Sequence, residues 1–135
     1  AGALGKKLLV HVSDLMHADD SLPAVQSGSM LKEALIVMSE KGLGLTAVVD
    51  HQNQLLGIFT DGDLRRLFNH TDNLSEITID QVMGTTPQTI EAEKLASEAL
   101  YIMQQKKINA LLVVDQNNKL IGALNMHDLL KAGIV

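Results

Sequence analysis

The sequence predicts a mixed α/β (α+β) fold, in which two β-α-β-β-α repeats pack face to face around a pseudo-twofold axis. Two observations predict it: the chain repeats itself, and each copy alternates between strand-like and helix-like spacing of apolar residues. The length of 135 residues fits one compact domain built from two half-size units. A unit of about 60 residues buries too little surface to be stable alone, so we expect the copies to share a core.

The repeat keeps its register over most of the chain. Shifting the sequence by 65 residues aligns residues 25–68 with residues 90–133, with 13 identities in 44 positions. The identities include two Val-Val-Asp runs and the pairs Gly57/Gly122 and Asp63/Asp128. Farther upstream the offset becomes 67, so that residues 12–16 correspond to residues 79–83. A register kept through glycines and aspartates indicates a duplicated unit and not a chance likeness of aliphatic segments.

Each copy contains the same order of predicted elements. A strand over 24–26 (89–91 in the second copy) leads into a helix over 29–41 (94–107), whose apolar residues are spaced as on one face of a helix. Met38 and Met103 lie on this apolar face and are predicted to be core residues. Strands over 45–49 and 55–60 (110–114 and 120–125) follow, joined by Asp- and Asn-rich hairpin turns. A helix over 62–68 (126–132) ends each copy, and the polar segment 69–76 is the predicted linker.

Composition excludes several classes of function. A net charge of −5 argues against binding to phosphate backbones, and three aromatic residues provide no stacking platform, so we expect no nucleic-acid partner. No apolar run approaches the ~20 residues of a membrane span, so we expect no membrane partner. The absence of cysteine excludes disulfides and thiolate metal sites and is compatible with the cytoplasm, where we expect the protein.

No catalytic residue and no metal site are predicted. The five histidines are scattered without metal-ligand spacing, at positions 11, 17, 51, 70 and 127. No nucleophile stands beside a base in a pattern typical of covalent catalysis. The sequence therefore favours a ligand-binding function over a catalytic one.

The segment 57–66 and its counterpart 122–131 are the most informative part of the sequence. In both, a strand ends at Thr60 or Asn125, and an aspartate follows three residues later in the first turn of a helix. One interpretation is a helix start, with Thr60 or Asn125 as the N-cap and Asp63 or Asp128 favoured by the helix dipole. The other is a nucleotide site, in which the helix start binds phosphate and the aspartate holds ribose hydroxyls. Arg65 and Arg66, the only arginines, suit phosphate contacts or solvate a helix face.

Residues 12–133 resemble a tandem CBS pair, also called a Bateman module. The resemblance rests on the two Val-Val-Asp runs, the two Leu-x-Gly turns at 55–57 and 120–122, and the aspartates 63 and 128. It implies that adenosine-type nucleotides bind in a cleft between the copies, with the hydroxyl residue of the last strand and the following aspartate on the ribose. Thr60 and Asp63 match that pattern. Asp128 also matches, but Asn125 replaces the hydroxyl residue, so the two sites are expected to differ.

The expected ligand-binding set contains further residues. Thr85 and Thr86 lie in a turn from which they donate hydrogen bonds to a ligand at the second site or merely to solvent. His127 is the one histidine placed to touch a ligand in the cleft. Since aromatic residues are few, base recognition is expected to rest on backbone groups and aliphatic side chains. These belong to Ile108, Ala110, Leu111 and Leu124.

A narrower resemblance concerns bacterial D-arabinose 5-phosphate isomerases. Residues 12–17 (VSDLMH), 57–66 (GIFTDGDLRR) and 126–135 (MHDLLKAGIV) look like the C-terminal part of those enzymes. They interconvert ribulose 5-phosphate and arabinose 5-phosphate for the synthesis of Kdo, a lipopolysaccharide sugar, and carry catalysis in an N-terminal domain. The resemblance implies that residues 1–10 link to such a domain, followed by CBS motifs at 11–70 and 77–135. A chain that starts at Ala1 agrees with a C-terminal fragment.

The resemblance also implies partners and a ligand. The chain would regulate its own N-terminal isomerase domain by binding an effector such as AMP or CMP-Kdo, without a cofactor of its own. It would form a homodimer through the CBS pair and a tetramer in the full-length protein. The alternative is an oligomerisation module without a ligand, formed through apolar helix faces left over after the copies pack.

Overall fold

The structure of the chain, a computed structural model, describes residues 5, 8–70 and 73–135. The first repeat comprises α1 (Val12–Leu15), a 3-10 turn (Asp19–Ser21), β1 (Ala24–Gln26), α2 (Leu31–Lys41), β2 (Leu45–Val49), β3 (Leu55–Thr60) and α3 (Asp61–Phe68). The second comprises α4 (Ile79–Val82), β4 (Thr89–Glu91), α5 (Ala96–Lys106), β5 (Ala110–Val114), β6 (Leu120–Asn125) and α6 (Met126–Lys131). The predicted α/β class is confirmed.

Each repeat forms one three-stranded sheet of the same topology. The middle strand, β2 or β5, pairs in parallel with β1 or β4 and antiparallel with β3 or β6. The two sheets share even an irregularity of register, between Val48 and Val49 in one and between Val113 and Val114 in the other. The duplication read from the sequence is therefore a duplication of backbone geometry.

The middle strands bury both of their faces. Along β5, Leu111 and Val113 contact the core beneath α5, whereas Leu112 and Val114 contact the other sheet. Residues 45, 47 and 49 of β2 face the same inter-sheet core. Burial on both faces explains why β2 and β5 read as continuous apolar runs without alternation. The two repeats pack sheet against sheet, as predicted.

Each repeat is completed by a segment that precedes the other repeat. We call residues 10–17 and 77–84, which contain α1 and α4, the leading segments. The N–H of Val12 donates to the carbonyl of Lys94 at 2.8 Å, and the N–H of Ile79 donates to the carbonyl of Ser29 at 2.8 Å. Val12 is fully buried in the core of the second repeat, and Ile79 in that of the first. The leading segments therefore pack across the boundary between the two units expected at 11–70 and 77–135.

The long helices begin two residues later than predicted. The expected starts were residues 29 and 94, but α2 begins at Leu31 and α5 at Ala96. The reason is a tertiary contact: Met30 is extended and bridges Thr78, and Leu95 bridges His11. Pairing with a leading segment therefore holds these residues out of the helix.

The predicted hairpin turns are present and meet on the pseudo-twofold axis. Asp50 accepts hydrogen bonds from the N–H groups of Gln52 and Gln54. The hydrogen bond from Gln54 contributes most to holding the pKa of Asp50 below its usual range. Asn53 and Asn118 take the left-handed conformation that the turns require, with φ of 64° and 62°. Leu55 N–H donates to Asn118 and Leu120 N–H donates to Asn53, each at 3.1 Å.

In the part of the chain that the structure describes, no helix is long and apolar enough to cross a bilayer. Of the expected linkers, residues 1–4, 6 and 7 of the first and residues 71 and 72 of the second lie outside the described residues.

Candidate functional site

A cleft of about 680 Å³ lies between the repeats, where β3 passes into α3 and β6 passes into α6. The first repeat lines it with residues 43, 44, 58, 60–63, 65 and 66. The second repeat lines it with residues 107–110 and 125–127, together with residues 84 and 86–88 before β4. The cleft therefore brings both strand ends of the repeat motif to one opening.

Both helices at the cleft begin with a capping box. Thr60 Oγ1 accepts from the N–H of Asp63 at 3.2 Å, and Asp63 Oδ2 accepts from the N–H of Thr60 at 2.9 Å. Asn125 and Asp128 make the same pair of bonds, at 3.0 and 2.8 Å. The interpretation of these residues as helix starts is confirmed, because an acceptor at each position satisfies an otherwise free backbone N–H.

The other oxygen of Asp63 faces a cation. Arg66 Nη2 donates to Asp63 Oδ1 at 2.5 Å. The arginine side chain is 70% exposed and the aspartate 27% exposed. An exposed pair of this kind contributes below about 1 kcal/mol to stability, so Arg66 can leave Asp63 at little cost.

Charge at the cleft differs from charge over the whole chain. Arg65, Arg66 and Lys107 line the cleft against two carboxylates, Asp61 and Asp63. The chain as a whole carries a net charge of −5. The cleft thus concentrates cations in an acidic protein, which favours an anionic ligand over an apolar one.

Nine of the twelve predicted ligand-binding residues line the cleft. They are Thr60, Asp63, Arg65, Arg66, Thr86, Ile108, Ala110, Asn125 and His127. Thr85, Leu111 and Asp128 do not. Further lining residues were not predicted, among them Lys107, Asn109 and Gly44, because they lie in turns that carry no motif.

Leu111 and Leu124 do not form the expected aliphatic wall. Both are fully buried in the core beneath α5, as strand alternation dictates for positions next to Ala110 and Asn125. The aliphatic side chains that do line the cleft belong to Leu43, Ile58 and Ile108.

Asp128 has a different partner from Asp63. Its Oδ1 lies 2.8 Å from Nε2 of His17, which belongs to the leading segment of the first repeat. The two side chains are only 12% and 33% exposed. His127, not His17, was the histidine expected at the ligand, because a separation of 111 residues between His17 and Asp128 leaves no local signal.

Two glycines let the leading segments approach the third strands of the sheets closely. A Cβ on Gly57 would lie 2.5 Å from Sδ of Met83, and a Cβ on Gly122 would lie 2.6 Å from Sδ of Met16. Only glycine permits this approach. Directly after each methionine, Gly84 bridges Ile58 of β3 and His17 bridges Ala123 of β6.

In the described residues, no group of three or more His, Asp or Glu side chains is arranged to hold a metal ion. What the cleft offers is a capped carboxylate, a set of cations and aliphatic walls. These groups are chemically suited to a polar anionic molecule with an apolar part.

Comparison with known proteins agrees with this architecture. The sequence pattern of the CBS domain family matches residues 11–70 and 79–134. The chain therefore belongs to the CBS domain family and contains a tandem pair of its domains.

Over 134 residues, the chain is 52% identical to arabinose 5-phosphate isomerase KdsD of Pseudomonas aeruginosa. This match covers 99% of the chain but only 41% of that relative's length. Both resemblances drawn from the sequence are confirmed.

Solved structures share the fold. That of CBSX2 in complex with AMP superposes with a TM-score of 0.76 at 24% identity, covering 93% of this chain and 96% of that one. The CBS pair of protein MJ0100, in complex with 5'-methylthioadenosine and S-adenosyl-L-methionine, superposes with a TM-score of 0.80 at 20% identity. It covers 90% of this chain and 94% of that one.

Proposed function

We propose that this CBS pair is a regulatory module that binds a nucleotide or nucleotide-sugar in the cleft at Asp63. The single observation that carries the proposal is the meeting of a capped carboxylate, Asp63, with Arg65, Arg66 and Lys107 in one opening between the repeats. CBS pairs of the same fold have been solved with AMP and with S-adenosyl-L-methionine, which supports a nucleoside ligand.

The ribose and the phosphate have separate partners in this proposal. Asp63 keeps its Oδ2 on the N–H of Thr60 and turns Oδ1 from Arg66 to the ribose hydroxyls. Arg66, once released, joins Arg65 and Lys107 on the phosphate, where a guanidinium makes bidentate contacts. The ligand thereby replaces an exposed ion pair and leaves no polar group unpaired.

The base has an aliphatic environment. Leu43, Ile58 and Ile108 line the cleft, and among the described residues no Phe, Tyr or Trp does. Recognition of the base therefore rests on shape and on backbone groups of residues 107–110, which leaves both adenine and cytosine as candidates.

We infer that the regulated enzyme is an arabinose 5-phosphate isomerase, as the 52% identity to KdsD supports. The chain's partner, in the cytoplasm, would be its own N-terminal isomerase domain. CMP-Kdo is a product of the same pathway and would be a natural effector, as would AMP. A ligand that binds two arrangements of the repeats unequally shifts the equilibrium between them, and any attached domain responds to that shift.

Thermal unfolding of the chain with AMP, ATP, CMP and CMP-Kdo tests the proposal. A ligand at ~100 times its Kd stabilises the folded state by about 2.7 kcal/mol, which raises the Tm by several degrees. Asp63→Ala should abolish the ligand-induced rise. Asp128→Ala lowers the starting Tm but should leave the ligand-induced rise intact, and serves as the matched control. No rise with any of the four ligands at millimolar concentration contradicts the proposal.

Assembly without a ligand is the second candidate function, favoured by exposed apolar residues at equivalent positions. Ile36 on α2 is 57% exposed and Tyr101 on α5 is 63% exposed. A homodimer through these helix faces, and a tetramer in the full-length protein, would cover them. Sedimentation velocity with and without AMP separates the candidates, because a dimer broken by Ile36→Lys but indifferent to nucleotide favours assembly alone.

A further inference from the structure

The repeat places His17 and Gly84 at equivalent positions. Each follows the methionine of a leading segment, and each forms an antiparallel bridge to the third strand of a sheet, to Ala123 and Ile58 respectively. The backbone bonds match: Gly84 exchanges two with Ile58 at 3.0 and 2.8 Å, and His17 exchanges two with Ala123 at 2.8 and 3.0 Å. Equivalent backbones therefore carry an imidazole in one case and no side chain in the other.

Because of this difference, the two capping aspartates, Asp63 and Asp128, have different surroundings. Beside Gly84, Asp63 borders the open cleft, and its only side-chain partner described is Arg66 from its own helix. Beside His17, Asp128 is bound at 2.8 Å by the imidazole Nε2 and does not line the cleft. The imidazole contacts the same aspartate oxygen, Oδ1, that Arg66 contacts at Asp63.

The two leading segments also continue differently. After Gly84 the chain runs through Thr85 and Thr86 to β4, whereas after His17 it runs through Asp19 and Asp20, which lie in a 3-10 turn. This second route is two residues longer and is fixed by a bond from Lys41 Nζ to the carbonyl of Asp20. The route beside Asp128 thus carries two carboxylates where the route beside Asp63 carries two hydroxyls.

We propose that the imidazole of His17 takes the place of a ligand hydroxyl at Asp128, so that one chain binds one nucleotide, at Asp63 alone. The inference rests on the proposed function and assigns to His17 a role in setting stoichiometry. A ligand hydroxyl at Asp128 would first have to displace a hydrogen bond between two largely shielded side chains. At Asp63 it displaces only the exposed Arg66.

Two reciprocal substitutions test the role of His17. His17→Gly places beside Asp128 the glycine that stands beside Asp63, and it frees Asp128 from the imidazole. Gly84→His places beside Asp63 the histidine that stands beside Asp128. The backbone has room for it, because the nearest atoms to a Cβ at Gly84 are Ile58 O at 3.6 Å and Ile58 Cγ2 at 3.7 Å. The imidazole then reaches Asp63 as His17 reaches Asp128.

The measurement is the number of AMP molecules bound per chain, by isothermal titration calorimetry and native mass spectrometry. We expect one for the wild type, two for His17→Gly and at least a tenfold weaker Kd for Gly84→His. His51→Gly, in an exposed hairpin turn, is the matched control and should bind one. Far-UV circular dichroism confirms that each variant is folded before it is titrated.

The outcomes separate this inference from the proposed function. Two molecules on the wild type, one on His17→Gly, or undiminished binding to Gly84→His overturns the role of His17 and leaves nucleotide binding standing. An empty wild type with one molecule on His17→Gly overturns the proposed site at Asp63 and supports the role of His17. If both proteins stay empty, both proposals are overturned.

Discussion

The two repeats have one backbone design and two different ways of holding their capping aspartates. Asp63 pairs with Arg66, three residues away and 70% exposed, while Asp128 pairs with His17, which is 111 residues away and 33% exposed. The residues that fix the backbone, such as Gly57 and Gly122, are identical in the two copies. Around the capping aspartates, by contrast, Gly84 corresponds to His17 and Arg66 to Lys131. Duplication here preserves the geometry of a site and lets its chemistry change.

The largest expected effect tests whether the leading segments belong to opposite repeats. Ile79→Ala removes a fully buried side chain from the core of the first repeat and should lower the free energy of unfolding by about 3 kcal/mol. Native-state hydrogen exchange should then accelerate first in α2 (Leu31–Lys41), although Ile79 precedes the second repeat in sequence.

The matched variant is Val12→Ala, which removes a smaller buried side chain from the core of the second repeat. Its cost should be about 2 kcal/mol, and exchange should accelerate first in α5 (Ala96–Lys106). Faster exchange of α5 in Ile79→Ala would contradict the exchange of leading segments between the repeats.

A smaller effect compares the two glycines of the third strands. Gly57→Ala puts a Cβ 2.7 Å from the backbone oxygen of Gly84, whereas at Gly122 the nearest backbone oxygen, that of His17, is 3.2 Å away. Both alanines also meet a methionine side chain, which can move. Gly57→Ala should therefore destabilise by about 2 kcal/mol and Gly122→Ala by about 1 kcal/mol in urea unfolding.

Gly84→Ala is the control, since its Cβ would meet nothing closer than 3.6 Å. Its free energy of unfolding should change by less than about 1 kcal/mol. Equal losses for Gly57→Ala and Gly122→Ala would show that the backbone contact does not decide the cost.

The smallest effect concerns a contact that only one leading segment makes. Asp80 of α4 accepts from the hydroxyl of Ser27 and from the N–H of Gly28, the latter at 2.7 Å, whereas the equivalent position in α1 is Ser13. The Ser27 hydroxyl, followed by the Gly28 N–H, holds the pKa of Asp80 below its usual value. A lowered pKa stabilises the folded state above the unfolded value, and this contribution is lost as the pH falls through the folded pKa.

Asp80→Asn should accordingly lower the free energy of unfolding at pH 7 by less than about 1 kcal/mol, because the carboxylate is exposed. It should also flatten the loss of stability below about pH 4, measured by urea unfolding at several pH values. Glu93→Gln, which removes the same charge at an exposed position, is the charge-matched control. An unaltered slope in Asp80→Asn would show that Ser27 and Gly28 do not perturb this carboxyl.

Most of the fold could be predicted because its signals are local or repeated. The repeat and the spacing of apolar residues located the strands of both sheets and the four longer helices, but not the single-turn helices α1 and α4. The Asp- and Asn-rich segments located both hairpin turns. The late starts of α2 and α5 could not be predicted, because the pairing of Met30 with Thr78 is a tertiary contact. Nor does a repeat reveal which copy a leading segment packs on, since both choices give the same periodicity.

The candidate site was predictable only where it coincides with a helix start. Thr60, Asp63 and Arg66 could be found from the strand-to-helix motif. His17 could not, because its partner lies 111 residues away and its own neighbourhood has no distinguishing pattern. Leu111 was misplaced because one residue along a strand changes the face, and sequence alone did not fix which face met the cleft.

The exchange of leading segments has a consequence for the order in which the chain folds during synthesis. Val10 and Val12, near its beginning, pack in one cluster with Ile134, the penultimate residue. That cluster cannot close until Ile134 has been synthesised, whereas the core of the first repeat is complete once Met83 has emerged from the ribosome. Because closing so long a loop costs entropy before its contacts form, the second repeat should be the slower half to mature, with Val12 exposed in the meantime.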